Sequence, residues 1–208
     1  MYFKMLKVTL AGLVLTISAF ANADVITTLY EKNDSGAWGG AVYFDLMVGD
    51  ADLSITGFDI NTSDRTFFDD FQVLLLTGET SQGNEDSSNW LSVATGIGTG
   101  AGLNNATTVT LSNSFFLNSN TLYGLSLIAG LNIGHDYTTA DGSNQNYSNL
   151  DLSLSLGSAI NFAFTGPVLT PSVWNGSIQY NVVPEPSTLG IFALGIMGLA
   201  SRRFKKVS

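Results

Sequence analysis

The chain has 208 residues, 17 acidic side chains against eight lysines and arginines, a net charge of −9 and no cysteine. That balance tells against a nucleic-acid binder and against an anionic lipid surface, both of which need positive charge. The missing thiols exclude disulfides, thiolate metal sites and a cysteine nucleophile, so a fold placed outside the cell must stand on its core alone.

The first 23 residues divide as a secretory signal does. Lys4 and Lys7 form a positive start, Leu10 to Phe20 an apolar stretch, and Ala21-Asn22-Ala23 a small-x-small site. Signal peptidase is the expected partner here, with Ala21, Ala23 and Asp24 defining a cut before Asp24. A buried core helix has no reason to keep both lysines at one end and A-x-A at the other. Residues 1–23 are therefore set aside from the fold.

Residues 24–182 make up the extracytoplasmic body. With both ends removed, sixteen carboxylates face two bases, Lys32 and Arg65, for a net charge of −14. In chain order, strands are expected at 25–31 and 40–48, then at Leu53–Ile60. In that last segment the apolar phase shifts across Gly57 and predicts a bulge. Phe71–Leu76 is apolar on both faces and reads as a central strand. Further strands are expected at 89–94, at Thr108–Leu111 and at 121–129. Leu150, Leu152, Leu154 and Leu156 alternate with polar residues, as do Ile178, Tyr180 and Val182. Clusters of Gly, Asn, Asp and Ser punctuate these runs. About nine or ten short strands at this spacing predict an all-β fold, an antiparallel β-sandwich of jelly-roll type. No fixed-period repeat points to a solenoid or propeller.

Few side chains in the body suggest chemistry. His135 is the single histidine, no G-x-S-x-G elbow accompanies it, and one imidazole cannot build a zinc site. It reads as a solvent-exposed loop residue. Glu31, Glu79 and Glu85 are the natural candidates for the carboxylate pair of a glycoside hydrolase, a pair that sixteen acids would also produce by accident. Asp50 and Asp52, Asp64 with Asp69 and Asp70, and Glu85 with Asp86 offer hard oxygen ligands to Ca²⁺, but the D-x-D-x-D-G loop is missing. Neither a catalytic residue nor a metal site is assigned, and Ca²⁺ is the one cofactor left open. Gly96 to Gly102 lacks the helix that a phosphate cradle requires and reads as a flexible connection. Trp38, Trp90 and Trp174 could stack on sugar rings, although at least two of the three suit the core better. Asn175-Gly176 fits a type I′ turn.

The chain then reads Val183-Pro184-Glu185-Pro186-Ser187-Thr188, an apolar run to Ala200, and Arg202-Arg203-Phe204-Lys205-Lys206. The prolines force extended backbone, and Ser187 or Thr188 can cap a helix at about 188–201. The uncharged run from Ser187 to Ser201 spans roughly 22 Å at 1.5 Å per residue, short for a hydrocarbon core of about 30 Å. Basic residues directly after it favour the cytoplasmic side. These features are similar to the PEP-CTERM sorting signal of exported proteins in Gram-negative bacteria. The resemblance implies recognition of Pro184, Glu185 and Pro186 by an exosortase, with Arg202, Arg203, Lys205 and Lys206 as the membrane stop. It also implies cleavage near the motif and transfer from the inner membrane to the cell surface or an exopolysaccharide matrix.

The body's own cadence, from Gly39-Gly40-Ala41-Val42-Tyr43-Phe44-Asp45 to Trp174-Asn175-Gly176-Ser177-Ile178-Gln179-Tyr180, resembles β-sandwich ectodomains of bacterial surface proteins. Three functions remain open at this point. The first is a non-catalytic surface or matrix protein associated with exopolysaccharide. The second is a carbohydrate- or calcium-binding module, which a concave sheet face with two exposed tryptophans would favour. The third is an extracellular glycan-active enzyme, which two convergent buried carboxylates would favour.

Overall fold

A computed structural model describes residues 23–183 apart from Ser87. The expected signal segment before Ala23 and the sorting tail from Pro184, with its helix at 188–201, lie outside the described residues. Thirteen strands follow one another: β1 (Ala23–Thr27), β2 (Asp34–Trp38), β3 (Ala41–Val48), β4 (Leu53–Ile60), β5 (Phe67–Thr77), β6 (Leu91–Thr99), β7 (Thr107–Leu117), β8 (Leu122–Ile128), β9 (Gly134–Thr139), β10 (Asn146–Ser148), β11 (Leu152–Ile160), β12 (Ser172–Trp174) and β13 (Gly176–Val182).

Ten of these strands form one antiparallel sheet in the order β1-β13-β4-β7-β6-β5-β8-β3-β11-β10. Within it β3 pairs with β8, β4 with β7 and β5 with β6, the nested pairing of a long hairpin rolled up on itself. The hydrogen-bonded ladder continues from strand to strand, and its two edge strands, β1 and β10, come into contact. This corrects the expected sandwich: one sheet curls nearly into a barrel where two facing sheets were anticipated. Alternation along a strand dictates which face is apolar, and one curled sheet satisfies that requirement as well as two stacked ones.

Side chains on the inner face form the core. Val42, Phe44, Leu46 and Val48 of β3 point inward and are almost fully buried, with Leu152, Leu154 and Leu156 of β11 beside them. In β4 the register slips between Ile55 and Gly57 against β7, which keeps Ile55, Phe58 and Ile60 all buried around an exposed Thr56. A three-stranded sheet, β12-β9-β2, adds Tyr137, Val173 and Trp174 to the same core. Trp174 stacks on Phe44 with ring centroids 4.9 Å apart and an angle of 10° between planes. A second, smaller cluster lies on the outer face, where Tyr43, Leu74, Ile128 and Ile160 are covered by Trp90, Ala163 and Phe164. Two of the three tryptophans thus pack against protein, and Trp38 is 61 % exposed.

The glycine-rich run is not a loose connection along its whole length, for Gly96 and Gly98 are part of β6. A Cβ at Gly98 would stand 2.5 Å from both the Thr108 carbonyl oxygen and Phe68 Cζ. The carbonyl belongs to the ladder and cannot swing away. Gly98→Ala is therefore expected to cost about 1–3 kcal/mol, seen as a lower urea midpoint with an unchanged slope. The type I′ turn expected at Asn175-Gly176 is also corrected. Trp174 ends a strand of the small sheet and Gly176 begins a strand of the large one, so Asn175, fully buried, is where the chain passes between sheets.

Candidate functional site

Both ends of the body meet on neighbouring strands. Ala23 and Asp24 open β1 opposite Asn181 and Tyr180 of β13. Beyond β13 the Val183 amide donates to the Asp52 carbonyl at 2.8 Å. Pro184 and Pro186 have no amide hydrogen to extend that ladder. The expected signal-peptidase cut thus falls after the first residue of β1, leaving Asp24 paired and exposed. Ala21, the Pro184-Glu185-Pro186 motif and the Arg202, Arg203, Lys205 and Lys206 stop lie outside the described residues. Close to the junction, Tyr180 donates its hydroxyl proton to Asp151 Oδ2 at 2.9 Å and accepts from Asn149 Nδ2 at 2.7 Å. Desolvation first, then the Asp151 carboxylate, push the phenol well above its ordinary range.

Three of the carboxylates considered for calcium, one in Asp50/Asp52 and two in Asp64/Asp69/Asp70, are tied to backbone amides. Asp52 Oδ1 accepts the Ser119 amide, Asp64 Oδ2 the Gly134 amide, and Asp70 Oδ2 the Leu131 amide. Among the described residues no group of three or more His, Cys, Asp or Glu side chains is placed to hold a metal ion. Of the three glutamates considered for glycoside chemistry, Glu31 and Glu79 are exposed and Glu85 is buried. Glu85 accepts from Ser158 Oγ and from the Gly83 amide, each at 2.9 Å, which fastens the β5–β6 loop to β11.

His135 departs from the expectation of an exposed loop. It lies in β9 and is 2 % exposed. Its Nε2–H donates to the Leu127 carbonyl at 3.0 Å, and its ring packs edge-to-face with Phe71, ring centroids 6.0 Å apart. Burial drives its pKa down to about 4, so the imidazole is neutral at physiological pH. His135 and Tyr137 face the core, while Asp136 and Thr138 on the other face of β9 meet polar partners. Asp136 is 4 % exposed and pairs with Lys32 Nζ at 2.8 Å. Ser63 Oγ donates to its second oxygen, and Lys32 donates to Ser63 Oγ at 3.0 Å. This is a structural tie between the β1–β2 loop, the β4–β5 loop and β9. Lys32 is held as an ion pair and Ser63 gives its proton to a carboxylate, so neither is set up as a base or nucleophile.

One groove of about 290 Å³ opens on the outer face of β10, β11, β3 and β8. Two cross-strand rows form its floor. Ser148 lies beside Ser153, Met47 and Leu122, and Asn146 lies beside Ser155 and Asp45. Tyr147 borders it, although its side chain packs on the core side. Sequence reading missed this groove because Asn146, Tyr147 and Ser148 carry no strand signal, and the serines of β11 read only as the solvent side of an alternating strand.

The PEP-CTERM protein-sorting motif matches residues 182–206. Among curated proteins, none matches the chain. The match begins at the last residue of β13, so the recognised tail and the folded body abut.

Proposed function

We propose that this chain, whose C-terminus carries a PEP-CTERM sorting motif and which is therefore an exported exosortase substrate, is a non-catalytic surface or matrix protein. In this reading the tail anchors it briefly in the inner membrane with the β body in the periplasm. Exosortase processing near Pro184-Glu185-Pro186 then passes the body to the cell surface, where it associates with exopolysaccharide. The observation that carries the reading is the junction itself: the matched sorting motif begins at Val182, the last residue of β13, and the ladder makes its final bond at Val183, directly before Pro184-Glu185-Pro186. Two features support a non-catalytic role. Glu85, the buried member of the three glutamates, spends both oxygens on the fold. Ser63, Lys32 and Asp136 neutralise one another. A single exposed tryptophan falls short of the paired platform that would favour a dedicated carbohydrate-binding module.

The test is replacement of Pro184, Glu185 and Pro186 by alanine in the producing cell. The variant is expected to stay in the inner membrane as an uncut form, followed by immunoblotting of membrane, matrix and medium fractions. Normal mature protein outside the cell would overturn the sorting reading.

A further inference from the structure

On the outer face of the sheet, Trp90, Ala163 and Phe164 cover Tyr43, Leu74, Ile128 and Ile160, and the groove opens beside this covered part. The cover stops at Asp45. Its Oδ1 accepts the amide and hydroxyl of Ser81 at 2.6 and 2.7 Å, and its Oδ2 accepts the Thr80 hydroxyl at 2.5 Å. Next to it, Gly124 has no side chain, and a Cβ there would stand 3.0 Å from the Ser81 amide nitrogen. The β5–β6 loop consequently lies directly on β8 and makes a fixed wall for the groove. Beyond the wall, the side chains of Asn146, Ser148, Ser153 and Ser155 make no hydrogen bond within the described protein, and Met47 of β3 and Leu122 of β8 form an apolar strip beside them.

We propose that this groove binds a short segment of neutral polysaccharide. The inference rests on the matrix reading above and supplies the contact that reading requires. Each serine hydroxyl both donates and accepts, and the asparagine amide does the same, so the floor offers paired functions on strands about 4.8 Å apart. A polyhydroxylated ring presents the same mixture of donors and acceptors around its rim. The apolar C–H face of such a ring suits Met47, whose side chain adapts to irregular shapes. Other ligand classes fit less well. An anionic polymer meets a body of charge −14 and finds no cation in the groove. A cationic ligand finds one carboxylate, Asp45, already saturated by three donors. A wholly apolar ligand would bury four polar side chains without partners. A peptide adding as a strand would pair with the backbone edge of β10 and leave the side chains on this face unused. At about 290 Å³ the groove is at the small end of ligand sites, enough for one or two rings of a longer chain.

Titration calorimetry on the full-length chain in detergent, with cellohexaose, maltohexaose and mannohexaose as neutral probes and hexaguluronate as the acidic one, tests the proposal. At least one neutral probe should bind, and hexaguluronate should not. Ser153→Glu and Ser155→Glu, at partly exposed positions, should each weaken binding at least tenfold with an unchanged melting temperature, and Phe116→Ser on β7 should leave it unaltered. Absence of binding by every neutral probe, equal binding by the glutamate variants, or preference for hexaguluronate would overturn it. In the producing cell, Ser153→Glu should be cut to mature size but move from matrix to medium. A cut variant retained like wild type defeats the groove and leaves the sorting reading intact, whereas a wild-type chain that is never cut defeats the sorting reading alone.

Discussion

Replacing Lys32 by methionine is expected to lower stability by about 3 kcal/mol, a large fraction of what a single domain has. The methionine keeps most of the apolar stem and removes only the charge. Asp136, 4 % exposed, is then left with the Ser63 hydroxyl as its sole side-chain partner. Losing one member of a buried pair typically costs 3–5 kcal/mol, and the lower figure applies because the lysine end is 26 % exposed and water can reach the vacated place. The double variant Lys32→Met, Asp136→Asn should recover most of the loss, since the cost lies in an unpaired charge. Urea unfolding of the two single variants and the double variant closes the cycle. A Lys32→Met chain within 0.5 kcal/mol of wild type would show that the tie is solvated.

His135 produces the second large effect, through pH. In the unfolded chain its pKa is about 6.5; in the fold it is about 4, because burial penalises the imidazolium. Above pH 6.5 the ring is neutral in both states and stability does not depend on it. Between pH 6.5 and 4 the unfolded chain takes up a proton that the folded chain refuses, so the unfolded state gains. Stability falls by up to about 1.4 kcal/mol per pH unit through that window, roughly 3 kcal/mol in all. Below pH 4 the folded form protonates too and this contribution levels off. His135→Phe should remove the slope between pH 6.5 and 4, whatever its effect on absolute stability. A variant that retains the full wild-type acid slope in urea titrations would assign it to the carboxylates.

The strands that could be read in the sequence are those whose side chains divide cleanly between core and solvent. β3, β4, β11 and β13 alternate or nearly so, and the bulge beside Gly57 shows in the apolar phase itself. The entire small sheet escaped that reading. β2 is Asp-Ser-Gly-Ala-Trp, β12 has three residues, and β9 is buried on both faces while carrying His135, Asp136 and Thr138. Periodicity treats a polar residue as solvent-facing, and it has no means of seeing that Asp136 meets a lysine 104 positions earlier or that His135 meets the Leu127 carbonyl. The same blindness explains the sandwich expectation. Inward and outward alternation is identical in one curled sheet and two flat ones, and only the pairing of β6 with β7, which joins the two halves into one ladder, tells them apart. Gly98 is a different case, because its need is set by the Thr108 carbonyl of a neighbouring strand. The sorting tail was legible because its meaning is local: two prolines, an apolar run and a basic end.

The pairing of β1 with β13 has a topological consequence. Ala23 opposes Asn181, so Val183 and Asp24 stand where the two arms of an ordinary hairpin would be joined by a turn. A few linking residues would close the chain there into a ring without disturbing a single strand pair. The ring could be reopened at the exposed turn around Gly142, whose φ of 89° and empty surroundings mark a tip that nothing packs against. The order in which these strands leave the ribosome is thus separable from the way they pair. A circular permutant would place both new ends at that tip, with the β1–β13 edge, freed of chain ends, as an uninterrupted hairpin.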